Sequence, residues 1–288
     1  MQLVNSDTYL GDIVSSDGSN KLNIDNRISK GYGKIAEIMG ILHKISLGRH
    51  YFKIAILLRN SLFVSSLLFN EEVWYGIKTS ELAALESLDR KLLKRILGFP
   101  SSAPSAKLYL ELGLMRIGTI LKARRLNFLH YLTKLTRSEM LSKFFRCQWC
   151  YTKEYDWCTQ VRKDLADFDL PSDLAKISSS SKIKWNTLVK KRTKVFELRE
   201  LLNMKQSKYK SKMGDLVYNS LTMQDYLVEC EVNLAKIILS YRLNMSKFWG
   251  NFKGKEKMKM CPLCDSHEDL QCLSFQCPVI IEKVNPQV

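Results

Sequence analysis

Four of the chain's eight cysteines stand between positions 261 and 277, at spacings that suit a metal. Cys261 and Cys264 enclose Pro262 and Leu263 in a C-x-x-C turn, and Cys272 and Cys277 follow as a second pair. One tight turn lets two thiolates grip a single ion, and a second pair closes a tetrahedral site. Zn2+ with four sulfur ligands is the expected occupant. His267 lies inside the loop and is an alternative to Cys272 as third ligand; Cys272 is preferred because His267 would crowd Cys264. The plainer alternative is a tail carrying ordinary reduced thiols. Cys147, Cys150 and Cys158 invite a second metal reading, but no fourth ligand stands at suitable spacing. Packing of two thiols and Trp149 under a helix accounts for them better.

The second chemical feature is charge. Residues 182–213 hold eleven Lys or Arg against only Glu197 and Glu200. Lys182, Lys184, Lys190, Lys191, Arg192 and Lys194 are the expected phosphate contacts, and Trp185, Phe196 and Tyr209 are interleaved as candidates for base stacking. The plain alternative is a solvated helix face. The whole chain carries a formal charge of +16 with a pI near 9.4, which favours polyanion partners, RNA or DNA first. Arg124 and Arg125 join the expected contacts.

These groups need a scaffold, and 288 residues with 45% hydrophobic content can bury one. Scarce proline argues against a turn-rich β-sandwich. The first residues lack a basic start and an apolar run, so no secretory signal is expected. A reducing compartment, nucleus or cytoplasm, follows, and there clustered thiols mean metal. Only Tyr51–Phe69 suggests a membrane span. It contains Lys53, Arg59, Asn60 and three serines, so it reads as a buried helix and no membrane partner is expected.

Thr8 to Val14 reads as a strand, with Asp17-Gly18 as its turn. Helical periodicity begins at Asn23, an expected N-cap, with Ile24, Ile28, Ile35, Ile38, Leu42 and Ile45. Leu82, Leu85, Leu88, Leu92 and Ile96 form another stripe, stopped by Gly98 and backed by Arg90, Lys91, Lys94 and Arg95. Gly113 stops a short helix that starts near Ser102–Pro104. Ile117, Leu121, Phe128, Leu132 and Leu135 mark the next helix. Ser178–Ser181 reads as a loop or hinge. Tyr226, Leu227, Leu234, Ile237, Ile238 and Tyr241 mark a last helical block. Asp7, Asp12 and Asp17 read as turn and surface residues.

Several of these stretches resemble the end of the palm, the thumb and the zinc-binding region of a non-LTR (LINE-type) retrotransposon reverse transcriptase. Tyr9-Leu10-Gly11 is similar to that family's primer-gripping element. Leu67-Leu68-Phe69-Asn70-Glu71-Glu72-Val73-Trp74 is similar to its Leu-Leu-Tyr-Gly-x-Glu-x-Trp segment, with Phe69 and Asn70 departing from it. Leu85-Glu86 to Leu97-Gly98, Leu108 to Leu114 and Arg124-Arg125-Leu126 follow in the family's order. Asp225-Tyr226-Leu227, Ala235-Lys236, Arg242 to Met245 and Asn251-Phe252 then precede Cys-Pro-Leu-Cys. The family's third ligand is usually His in Glu-His-Leu-Leu; here Gln271-Cys272-Leu273-Ser274 takes its place.

The resemblance implies a mainly α fold: a thumb-like helical bundle with an N-terminal β-hairpin and a C-terminal zinc-knuckle-like motif. It implies a hairpin and palm remnant over 1–20, the bundle over 21–136, a basic helical connector over 137–215, a helical block over 216–260, and the zinc motif and tail over 261–288. The family's metal-binding aspartates precede Tyr-Leu-Gly, so no polymerase chemistry is expected of this chain, and binding of RNA or DNA is. The rival expectation is a helical protein-interaction module that self-associates through surface the palm would cover, or a transposon relic without selected activity.

Overall fold

The computed structural model describes residues 6–9, 11–44, 48, 50–151, 153, 156–208, 218–243 and 245. Within them the protein is mainly helical, with one two-stranded hairpin. Strands β1 (Ser6–Tyr9) and β2 (Asp12–Ser15) pair antiparallel, with Ser6 opposite Ser15 and Tyr9 opposite Asp12. The reversal therefore falls before Asp12, where Gly11 takes φ +90°, rather than at Asp17-Gly18. Gly18, at φ +70°, instead turns the chain from β2 into the first helix. Both positions need the left-handed backbone that glycine adopts without steric cost.

Helix α1 spans Lys21–Lys44. Asn23 lies inside its first turn rather than capping it, and its side-chain amide donates to the Asp12 carboxylate at 3.1 Å. Helix α2 (Tyr51–Leu58) runs on through a π-helical stretch, Arg59–Val64, into α3 (Ser65–Leu67). Tyr51, Phe52, Ala55, Phe63 and Leu67 are buried, while Lys53, Leu57, Asn60 and Ser61 face outward. This helix is central, as its composition predicts. Among the described residues, no helix is long and apolar enough to cross a membrane.

A short 3-10 turn (Glu71–Val73) leads to α4 (Thr79–Leu97), whose predicted stripe faces inward. Gly98 ends it with φ +73°, the left-handed C-terminal stop that helices commonly use. Then come α5 (Ser105–Leu112), α6 (Ile117–Lys134), α7 (Met140–Cys150), α8 (Trp157–Asp167), α9 (Leu174–Ser179) and α10 (Lys182–Lys208). Ser178 and Ser179 thus belong to a helix, and only Ser180 and Ser181 connect. The last described helices are α11 (Tyr226–Glu229) and α12 (Val232–Arg242).

Two apolar cores organise these helices. The first gathers α1 through α5, the start of α6, the later part of α10, and α11 and α12. The second gathers the rest of α6 with α7, α8, α9 and the start of α10. Helices α6 and α10 pack against each other and pass through both. On α12, Val232, Ala235 and Leu239 turn inward, whereas Leu234 and Ile237 are half exposed. The register of that helix is therefore rotated from the expected stripe, with Ala235 rather than Leu234 on the core side.

Candidate nucleic-acid interface

Helix α10 carries most of its cations at the surface. Lys182, Lys184, Lys190, Lys191 and Arg192 are exposed, and Lys194 is half-buried. The helix folds this way because Trp185, Val189, Thr193 and Glu197 recur every four residues and form the buried side. Ile183 and Val195 stand exposed among the cations. Arg192 meets the exposed Asp169 at 3.0 Å, a solvated pair of small energetic weight.

The acid balance of α10 is more lopsided in space than in sequence. Glu197 is fully buried. Its carboxylate accepts from the guanidinium of Arg116 at 2.7 Å and from the Thr119 hydroxyl at 2.5 Å. It therefore neutralises the inner side of the helix and leaves the outer cations without it.

The interleaved aromatics do not form a stacking platform. Trp185 is 1% exposed, its indole N–H donates to the Leu126 carbonyl at 3.1 Å, and its ring stacks on His130. Phe196 packs edge-on against Phe168. The helical period decides this: these rings share the apolar face with Val189. Tyr209 lies outside the described residues.

Arg124 and Arg125 also depart from the expectation. Arg125 is buried, held by Asp164 at 2.7 Å and by the Trp74 carbonyl at 2.9 Å. Arg124 reaches the Leu68 carbonyl and the Glu71 carboxylate, each at 2.9 Å. Both tie α6 to the segment around the 3-10 turn at Glu71–Val73, where the Leu68 and Trp74 carbonyls and the Glu71 carboxylate need donors, with Arg124 still 36% exposed. Glu71 is fully buried, and that burial pushes its carboxyl up to about 7, against the pull of Arg124.

Comparisons with protein families, curated proteins and solved structures return no match.

Of the primer-grip-like residues, Tyr9 is 71% exposed on β1, the Gly11 carbonyl accepts from the Arg27 guanidinium at 3.0 Å, and Leu10 lies outside the described residues. Asp12 is not a surface residue. It is buried between Arg27 at 2.5 Å, Asn23 and the side-chain amide of Asn70. A polar hairpin can dock on α1 only if its carboxylate finds such partners. Cys261, Cys264, Cys272, Cys277 and His267 lie outside the described residues. Among those described, no three His, Cys, Asp or Glu side chains converge as metal ligands. Cys147 and Cys150 are exposed on α7, while Cys158 is buried and its thiol is pushed up to about 12 by that burial.

Sequence reasoning missed three internal networks. Arg59 and Asp89 form a fully buried pair at 2.6–2.7 Å, joined by the Tyr109 hydroxyl at 2.9 Å. Glu111 is fully buried and accepts from Tyr218, Tyr226 and Arg242 at 2.5–3.0 Å. The third is the set around Asp12. In each, a charged residue occupies a core-facing helical or strand position. That is the one signal available: Arg59 within an apolar helix, and Glu111 between leucines.

Proposed function

We propose that this chain binds RNA or DNA through the outer face of α10, as the non-catalytic C-terminal part of a reverse-transcriptase-like protein. The observation that carries the reading is the arrangement of charge on α10. Lys182, Lys184, Lys190, Lys191 and Arg192 are all exposed around the surface side of the helix, and the helix's own Glu197 is turned into the core. A phosphate backbone supplies the missing counter-charge and releases condensed ions as it docks.

Sequestration of Asp12 by Arg27 supports the non-catalytic part of the reading. Two-metal phosphoryl transfer needs open paired carboxylates, and this carboxylate is committed to internal partners. A zinc site at Cys261, Cys264, Cys272 and Cys277 rests on their spacing, and metal analysis of wild type and Cys264→Ser tests it.

The experiment is fluorescence anisotropy of the full chain with a structured RNA and a duplex DNA across a salt series. Binding that weakens steeply with salt is expected. The triple variant Lys190→Gln, Lys191→Gln, Arg192→Gln is expected to lower the log-log slope by about 2 to 3, at about 0.9 per duplex phosphate contact. Weak binding with no salt dependence overturns the reading.

One observation favours a second reading, a protein-interaction surface. Met140, Leu141, Phe144 and Tyr151 are exposed along α7 and its end, by 70%, 47%, 66% and 79%. Apolar residues at helical spacing on one outer face suit a protein partner or a second copy. Self-association that is insensitive to salt and abolished by Phe144→Glu supports it.

A further inference from the structure

Helix α4 carries a second concentration of positive charge that differs in kind from that on α10. Arg90, Lys91, Lys94 and Arg95 do not spread over a convex face. They line one cavity of about 520 Å³ together with Phe99 and Ser101. Positions 90 and 94, and 91 and 95, are one helical turn apart, so the four cations form two rows of two.

Three of the four are held in place. The Lys94 ammonium donates to the Ser101 carbonyl at 2.5 Å, closing the cavity where the chain turns back at Gly98. The Lys91 ammonium sits over the Tyr32 ring of α1, 4.7 Å from its centre. Arg90 lies 3.5 Å from Glu86, the only carboxylate paired with any of the four among the described residues. The ammonium of Lys94 is driven below the usual lysine range by burial and then by Arg90. Cations that penalise one another in this way lack an anion between them.

The helix dipole accounts for Lys94 and Arg95 in the last turn. It does not account for Arg90 and Lys91, a turn further in, nor for the concavity. Fixed donors gathered around one concavity are what a phosphate-bearing ligand needs, because preorganised charge costs less ordering on binding.

We propose that this cavity is a phosphate-binding site, taking two neighbouring phosphates of a nucleic-acid backbone at a place separate from α10. The identification of the ligand as a backbone rests on the nucleic-acid reading above; the phosphate chemistry does not. A small molecule carrying two linked phosphates has the same chemistry, and the test separates the two sources.

Two double variants are compared with wild type and with the α10 triple variant: Lys91→Gln with Arg95→Gln, and Arg90→Gln with Lys94→Gln. The first pair is exposed and makes no backbone bond through its side chains, so it tests the site even if loss of the Lys94–Ser101 tie unsettles the second. Circular dichroism melts establish that each variant folds. Anisotropy with a single-stranded RNA and a duplex DNA across a salt series is read alongside calorimetric titration with inorganic pyrophosphate.

Each double variant removes one row of two cations, the contact to one of the two phosphates, and is expected to lower the salt slope for duplex DNA by about 0.9, at about 0.9 per contact. It should do so in the α10 triple variant as well, since the two places act separately. An unchanged oligonucleotide slope with lost pyrophosphate binding assigns the cavity to a small phosphorylated ligand and keeps the site. Unchanged slope and unchanged, or absent, pyrophosphate binding overturn it. Failure of the α10 variant alone counts against the α10 reading and leaves this site standing.

Discussion

At the scale of single residues, the fold depends on charges it has buried. Arg59 and Asp89 are 1% and 0% exposed and bonded through two nitrogens. Removing one member leaves the other as an uncompensated interior charge, which costs about 3–5 kcal/mol. Asp89→Ala is therefore expected to lose that much in chemical denaturation. Replacing both, with Arg59→Met and Asp89→Leu, is expected to cost less than the two single changes together, because no orphan charge remains. Equal additivity would show that the pair is not coupled.

Glu71 gives a pH signature with the opposite sense from a surface acid. Its folded-state pKa, about 7, lies above its ordinary value of 4.5. Between those pH values the folded state holds the proton more firmly than the unfolded one. Its contribution to stability is thus fully present below about pH 4.5 and is lost as pH rises through about 7. Asp164, raised by burial despite Arg125, acts in the same direction. Glu71→Gln should flatten the fall in stability across that window, measured by denaturant midpoints at pH 5 and pH 8. An unaltered slope would mean that the carboxylate ionises freely in the fold. Neither acid announces itself in sequence. Asp164 has no long apolar stretch around it to mark it as buried, and Glu71 stands in a Glu-Glu pair of which only one member goes inside.

At the scale of elements, much was legible because periodicity is a local property. The α4 stripe, its Gly98 stop and the short helix ended by Gly113 all follow from spacing and glycine position. What was not legible depends on which neighbour an element meets. The α12 stripe fails since Ala235, not Leu234, lies against the core. The aromatics of α10 looked like stacking groups, yet their period matched the apolar face. Gly113 shows how a neighbour changes the meaning of a glycine. Besides its φ of +63°, a Cβ there would stand 2.2 Å from the Thr222 carbonyl carbon and 2.3 Å from the Met223 nitrogen. Backbone cannot yield as a side-chain tip can. Gly113→Ala should therefore detach residues 218–227 from α5, breaking the bond from the Gln224 amide to the Glu111 carbonyl. Hydrogen exchange at Gln224 should rise. Gly33, inside α1 with nothing within 4 Å, predicts the reverse: Gly33→Ala should stabilise by about 1 kcal/mol on helix propensity. Two glycines, one substitution and opposite signs make the pair its own control.

At the scale of the whole molecule, the question is whether the two cores are one cooperative unit. Helix α6 contributes Ile117 and Leu121 to the first and Leu126, Leu129 and Leu132 to the second. Helix α10 runs the other way, giving Trp185 and Val189 to the second and Leu201 to the first. Where they cross, buried Glu197 binds Arg116 and Thr119. A core cannot unfold without fraying helices that the other core needs. Trp185→Ala, which removes a fully buried ring from the second core, should cost about 3–5 kcal/mol. The informative reading is where that loss appears. Hydrogen-exchange mass spectrometry separates peptides of α1 and α4, in the first core, from those of α8, in the second. Coupling through α6 and α10 predicts that protection falls by a similar amount in all three. If α1 and α4 keep wild-type protection while α8 loses it, the cores unfold separately and the shared helices do not transmit stability. The outcome also bears on binding. The exposed cations Lys182 to Arg192 lie on the part of α10 that packs in the second core, so loss of that core's packing in Trp185→Ala should weaken binding without touching a single cation.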